Sequence, residues 1–234
     1  MIVIRSILSW FVGSLVLASI TLAALLMPVS RFYPLVRHGS RLILWICGIK
    51  VILKNREKID PQQSYLFMGN HVNIFDSVIL AAYLPTQIVG VEKDIHFRWP
   101  VYGLLIKRFG NIPVSQANTE SARKSIERAT ETLKKGNSVV ILPEGTRTRT
   151  GNVGIFKKGG FHLAIDAKAM ILPFTFKGAF KISQKGSKLI HPGTVELIFH
   201  DSIDASLYSK ENLEELLAKV KAEVETPLLE DRTY

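Results

Sequence analysis

The chain has 234 residues, 47% of them apolar, with 30 Lys and Arg against 20 Asp and Glu and a formal charge of +10. That length holds one globular domain plus an appendage, and a mean hydropathy of +0.18 is high for so basic a chain, so its apolar residues must be concentrated somewhere. Cys47 is the single cysteine, which excludes an intramolecular disulfide framework and a thiolate zinc cluster, while the charge admits nucleic acid, an anionic bilayer or a phosphorylated substrate as partner.

The apolar residues gather at the N-terminus. No charge falls between Ile7 and Met27, with Arg5 and Arg31 flanking the run. About 21 residues make about 31 Å of helix, enough to cross the hydrocarbon core. The run exceeds the roughly 7–15 apolar residues of a cleaved signal peptide, although Ala23-Ala24 offers small residues for cleavage. A second apolar stretch, Leu42 to Leu53, follows Arg37, His38 and Arg41 and is broken by Lys50. It is too short to span. Its first part suits the membrane interface, with Trp45 at headgroup depth, and Lys50 to Lys54 equally reads as the first strand. Cys47 lies within it and reads as packing or lipid-facing. The basic residues after the first helix predict a main domain on the cytoplasmic side. The expected organisation is a membrane-anchoring helical segment over residues 1–48 and a globular domain over 49–234.

Beyond Asn55 short apolar runs alternate with amphipathic stretches. Tyr65 to Met68 reads as a buried strand running into Gly69-Asn70-His71, and Asn73 to Leu84 as a helix apolar almost all round, hence buried. Gln87 to Val91 is strand-like, and Trp99 to Arg108 predicts a short helix started by Pro100 and stopped by Gly110. Thr119 to Lys135 is the clearest helix: Ala122, Ile126, Ala129 and Leu133 share a face, Thr119 fits an N-cap, and Gly136 suits the position after the last turn. Ser138 to Leu142 is a buried strand ending at Pro143. Phe161 to Ala167 is helical, Met170 to Phe176 and Val195 to Phe199 are strands, and Leu213 to Glu225 is an amphipathic helix. This alternation predicts an α/β domain with a mixed, partly parallel sheet covered by helices.

Two constellations carry chemistry. In Gly69-Asn70-His71-Val72-Asn73-Ile74-Phe75-Asp76 a histidine stands at a strand end and an aspartate five residues on. On one continuous helix their side chains would point about 140° apart. They meet if the helix begins between them, with Asn73 as N-cap and Asp76 at the third helical position, reaching back to His71. The carboxylate then accepts Nδ1–H and leaves Nε2 as a base. The same residues also suit a capped helix beside an ordinary loop histidine, or, less well, a metal site, for which no ligand cluster stands at the required spacing.

The second constellation is Leu142-Pro143-Glu144-Gly145-Thr146-Arg147, at the carboxyl end of a buried strand, where ligands gather in open α/β sheets. Gly145 admits close approach and positive φ. Arg147 presents a planar fork that matches a phosphate, Thr146 adds a hydroxyl and Arg149 a charge, and Glu144 is placed to orient Arg147 or receive a substrate hydroxyl. An ordinary polar turn has the same composition. Lys157-Lys158-Gly159-Gly160 then leads into a helix whose first N–H groups suit an anion.

Together these residues resemble the glycerolipid acyltransferase family. Asn70, His71 and Asp76 match its Asn-His-x4-Asp motif, and Leu142 to Thr148 match its Phe/Leu-Pro-Glu-Gly-Thr-Arg-Ser/Thr motif throughout. Phe156-Lys-Lys-Gly-Gly-Phe161-His and Ile171-Leu-Pro173-Phe follow in the family's order, so the resemblance covers Ser64 to Gly178. Lys93, Pro100, Gly103 and Gly110 look like a looser second motif. The family often carries an arginine after the Ile-Pro-Val strand, where it helps hold the acceptor's phosphate; here Gln116 stands there, and a neutral amide cannot replace a guanidinium. Either Lys93, Lys107, Arg147 or Arg149 covers the phosphate, or the acceptor is a different lysolipid.

The resemblance implies a membrane-bound enzyme that moves a fatty acyl group from acyl-CoA or acyl-carrier protein to the hydroxyl of 1-acylglycerol-3-phosphate. His71 and Asp76 would be catalytic, Lys93, Glu144, Gly145, Thr146 and Arg147 would bind substrate, and no cofactor or metal is implied. Backbone N–H groups near the helix start are expected to meet the oxyanion. A thiolate leaves readily, its pKa being about 8–9, so direct transfer without an acyl-enzyme is expected. Ser77 lies inside the predicted helix, outside any nucleophile elbow. Rival readings are acylation of a lyso-ornithine lipid or lysophosphatidylglycerol, and a non-catalytic anionic-lipid-binding membrane protein; nucleic acid is disfavoured, no recognised motif accompanying the charge.

Overall fold

The computed structural model describes residues 2–115 and 119–229, and the side chains of Thr119 and Ala122, like Gln116, lie outside the description. The elements run α1 (Ile2–Leu26), α2 (Val29–Ile46), β1 (Ile49–Lys54), β2 (Leu66–Gly69), α3 (Asp76–Tyr83), β3 (Ile88–Lys93), α4 (Tyr102–Phe109), β4 (Ile112–Val114), α5 (Thr119–Lys134), β5 (Ser138–Ile141), α6 (Gly159–Ala167), β6 (Met170–Lys177), β7 (Gly193–Phe199), β8 (Ile203–Asp204) and α7 (Leu213–Leu229). The sheet has the order β1-β7-β6-β2-β5-β3-β4, with β8 added antiparallel to β6. All its other pairings are parallel except β6 with β7. The mixed α/β sheet expected from the alternation is thus present.

Strand residues alternate between the two faces. Phe67, Leu172, Phe174, Phe176, Val195 and Leu197 enter one core with Ile79 and Leu80 of α3 and Leu84 just after it. Leu66, Met68, Val139 and Ile171 enter the other, beneath Ala129 and Leu133 of α5, Leu163 of α6 and Leu216, Val220 and Val224 of α7. A fully buried Phe or Leu contributes about 1.5–3 kcal/mol, so each layer of helices is fastened independently.

The N-terminal part is helical over most of residues 2–46, with a second helix that the apolar pattern did not delimit. A second helix occupies residues 29–46, although Pro34 and four basic residues interrupt the apolar pattern there. It packs antiparallel to α1, with Phe32 and Val36 against Ile20, Ala24 and Leu105, and its end, Leu44 and Cys47, joins the first core. Arg37 donates to the carbonyls of Leu84 and Pro85 and Arg41 to that of Ala82, so these cations cap the end of α3. Both halves of α1 are fastened to the domain. Trp10 Nε1–H donates to the Lys188 carbonyl at 2.8 Å and Ser6 Oγ accepts the Ile190 N–H at 2.9 Å. At the other end Arg108 donates to the carbonyls of Ala24 and Met27.

Candidate active site

Because β2, β3, β5 and β6 run parallel, their carboxyl ends at Gly69, Lys93, Ile141 and Lys177 share one edge of the sheet. The loops beyond them therefore converge, as ligand-binding loops do in open α/β sheets. The first holds His71, the third Glu144 to Arg149, and the fourth a lysine, Lys185, that no sequence pattern marked.

His71 Nδ1 lies 2.8 Å from Asp76 Oδ2, and the same oxygen accepts the N–H groups of Val72 (2.6 Å) and Asn73 (3.1 Å). Helix α3 begins at Asp76 itself, with Phe75 before it, not at Asn73 as expected. Asn73 instead accepts the Phe75 N–H at 2.8 Å in a tight turn and donates to the Ala179 carbonyl at 2.7 Å. So the aspartate reaches back over a turn rather than over a cap, and the predicted meeting of His71 with Asp76 occurs by a different local route. Asn70 fixes the other side of the loop, clamping the Phe176 backbone through both its amide N–H and its carbonyl oxygen.

Asp76 is wholly buried, and its Oδ1 has no partner among the described residues. Burial pushes its carboxyl above the usual carboxylate range; the bond and charge of His71 and the two backbone N–H groups oppose that rise. A carboxyl so placed accepts strongly from Nδ1–H and sets Nε2 as the basic nitrogen. The N–H groups of Val72, Asn73 and Phe75 are all committed within the loop, so they are not the oxyanion donors expected there.

Glu144 is also buried, and its carboxylate holds backbone rather than Arg147. Its Oε1 accepts the His71 N–H at 2.7 Å and its Oε2 the Gly154 N–H at 2.8 Å. Burial raises this carboxyl too, more than those two bonds lower it. The Thr148 N–H donates to the His71 carbonyl at 2.9 Å, so one side-chain and one backbone bond fasten the histidine loop to the turn after β5. Gly145 sits at φ 66°, the left-handed conformation foreseen for it.

Beside this junction lies an open cleft of about 500 Å³, lined by Glu144, Thr146, Arg147, Arg149, Lys157 and Lys185 with Val153 and Ile155 as apolar wall. Ile155 is 87% exposed. Lys185 Nζ donates to Thr146 Oγ1 at 2.6 Å. Lys93 joins from the end of β3, within electrostatic reach of Lys185. Lys158, by contrast, turns away to pair with Glu214. Of the site residues expected from sequence, His71 and Asp76 meet, Thr146 and Arg147 line the cleft, Gly145 lies in the turn before them, Lys93 comes within electrostatic reach of Lys185, and Glu144 holds two backbone N–H groups. Gln116 lies outside the described residues. Lys185 was missed because only the parallel register of β2, β5 and β6 brings its loop here.

Fold and corner together define an α/β enzyme whose polar groups project beyond its strand ends. The chain belongs to the acyltransferase family, whose model, described as Acyltransferase, matches residues 50–177. A 1-acyl-sn-glycerol-3-phosphate acyltransferase of Borreliella burgdorferi is 30% identical over 186 residues, 78% of this chain and 74% of that one. One of Escherichia coli is 28% identical over 188 residues, with the same coverage of 78% and 74%. The crystal structure of the 1-acyl-sn-glycerophosphate acyltransferase from Thermotoga maritima shares the fold, with a TM-score of 0.85 at 20% identity over 100% of this chain and 97% of that one.

Proposed function

We propose that this acyltransferase moves a fatty acyl group from acyl-CoA or acyl-carrier protein to the free hydroxyl of 1-acylglycerol-3-phosphate, giving phosphatidic acid. The observation that carries the reading is the 2.8 Å contact between His71 Nδ1 and the buried Asp76 Oδ2, next to a cationic cleft. His71 Nε2 takes the proton of the acceptor hydroxyl as its oxygen attacks the thioester carbonyl. Asp76 holds the ring and balances the imidazolium. The C–S bond breaks as the tetrahedral centre collapses, and the thiolate leaves without needing a strong acid. Arg147, Arg149, Lys93 and Lys185 take the acceptor's phosphate, and Thr146 and the turn at Gly145 let it approach the backbone. Support for this acceptor comes from the names of the relatives and from the cleft's charge.

The reaction belongs at a membrane surface. Helix α1 is 25 residues long with a mean hydropathy of 2.0 over its best window, and Ile4, Ile7, Leu8, Phe11, Leu15, Leu22, Leu25 and Leu26 are exposed on it, with Trp45 of α2. Both ends of α1 are bonded to the domain, which favours a helix lying in one leaflet over one crossing both. In this reading residues 1–48 anchor the chain, residues 49–234 catalyse, and the domain faces the cytoplasm, where thioester donors are made.

The test is purified protein in anionic vesicles, given labelled acyl-CoA and a panel of lysolipids that includes 1-acylglycerol-3-phosphate, lysophosphatidylglycerol and a lyso-ornithine lipid. Transfer to the first is expected, and His71→Ala should abolish it with the thermal melt unchanged. Transfer confined to another lysolipid overturns the acceptor; near-normal turnover in His71→Ala overturns the base.

A further inference from the structure

The segment between the short 3₁₀ turn after β6 and the start of β7 belongs to neither motif, yet it reaches both the cleft and the membrane helix. Its base is closed by the His191 N–H donating to the Ile182 carbonyl at 2.8 Å, and Ile182 and Ile190 are buried in the core at 1% exposure. Its tip turns through a Ser187 N–H to Gln184 carbonyl bond of 3.0 Å, with Gly186 at φ 93°. A loop so based is positioned by the fold, and its tip carries Lys185 into the cleft.

Lys185 is placed where its charge meets other cations. Partial desolvation and the charges of Arg149, Lys93 and Arg147 hold its ammonium below the ordinary lysine range, and among the described residues none of these four cations forms an ion pair with a carboxylate. Like charges converging without a counter-charge are the signature of an anion's seat, because a dianion relieves every repulsion at once. The 2.6 Å bond to Thr146 Oγ1 shows that the ammonium already reaches an oxygen at the turn after β5.

The far side of the loop is held by α1. Trp10 Nε1–H binds the Lys188 carbonyl and Ser6 Oγ accepts the Ile190 N–H, at 2.8 and 2.9 Å. We propose that residues 183–192 form an acceptor-binding arm: Lys185 binds the acceptor's phosphate, and Ser6 and Trp10 of the membrane helix are positioning residues that set the arm. The assignment rests on the acceptor reading above and deepens it. Helix α1 thereby has a second role, since the element that meets the bilayer also orders the group that captures a bilayer-borne headgroup.

The experiment is steady-state kinetics of the full chain in vesicles, with 1-acylglycerol-3-phosphate varied and acyl-CoA saturating. Lys185→Gln should raise the acceptor KM roughly ten- to hundredfold, the scale of one charge-assisted bond, with kcat within about threefold and an unchanged melt. The inhibition constant of free sn-glycerol 3-phosphate should rise in parallel, and Lys185→Arg should restore most of the affinity. Trp10→Phe, which keeps the ring and loses the donor, should raise the same KM about threefold. An unchanged KM in Lys185→Gln overturns the ligand, as does a fall in kcat and melting temperature that arginine does not rescue. An unchanged KM in Trp10→Phe overturns the role of α1. Wild-type protein inactive on 1-acylglycerol-3-phosphate removes the acceptor reading itself, and this assignment with it.

Discussion

Two histidines stand at loop starts on opposite edges of the sheet, and they differ in what holds them. His71, after β2, presents Nδ1 to a wholly buried carboxylate. His200, after β7, is itself buried and meets a hydroxyl: Thr175 Oγ1 donates to the Val224 carbonyl at 2.8 Å, so the 2.8 Å contact with His200 is Nε2–H donating to Thr175. Its Nδ1 lies 3.7 Å from the half-exposed Glu223 carboxylate. Burial, with help from the charge of Lys58, pushes the His200 imidazole down to about 4 against the small opposing effect of Asp201. In the proposed mechanism the first carries a proton during turnover; the second is built to refuse one. The residue type sets neither outcome; the partner does.

Asp76→Asn attacks that difference most strongly. The amide oxygen can replace only part of what Oδ2 does, and the imidazole loses its charge partner. A fall in kcat of about 10³- to 10⁴-fold is expected, the order seen when the orienting carboxylate of a serine-protease triad is replaced. Stability should change little. Burial raises the Asp76 carboxyl, so its ionised form costs the folded state at neutral pH, and a neutral amide removes that cost. Calorimetry beside the kinetics checks this, and a large drop in Tm would make the carboxylate a structural cap.

His200 gives a smaller effect of the opposite kind. Its pKa is lowered in the folded state, so the unfolded chain takes the proton first. The stability it contributes is complete above about pH 6.5 and is lost as pH falls towards 4. The loss is at most about 3 kcal/mol over that window. Asp76 and Glu144, both raised, act with the other sign, so the measurement is a difference: urea unfolding at pH 7 and 4.5 for wild type and His200→Gln. The variant should lose less stability on acidification. Equal losses would show that His200 is solvated.

The corner of His71 and Asp76 was legible because its residues sit a few positions apart at a strand end, where spacing alone restricts geometry. Its details were not. The helix start moved from Asn73 to Asp76 because the Asn73 side chain closes a turn onto Phe75 and Ala179. Glu144 read as a ligand from its place beside Arg147, yet its carboxylate holds two backbone N–H groups. The limits of helix α2 were not legible for a tertiary reason: its arginines, which read as flanking a membrane segment, cap α3 across the fold. Lys185 lies 39 residues from Thr146, and only strand register joins them. The alternation of strands and helices survived because burial of both sheet faces imposes it locally.

The pairing of His71 with Asp76 is tested most directly by a double-mutant cycle on kcat, combining His71→Ala with Asp76→Asn. If the carboxylate acts only through the imidazole, the double variant should be no slower than His71→Ala alone. Losses that multiply would show that Asp76 serves turnover by some other path and would contradict the account.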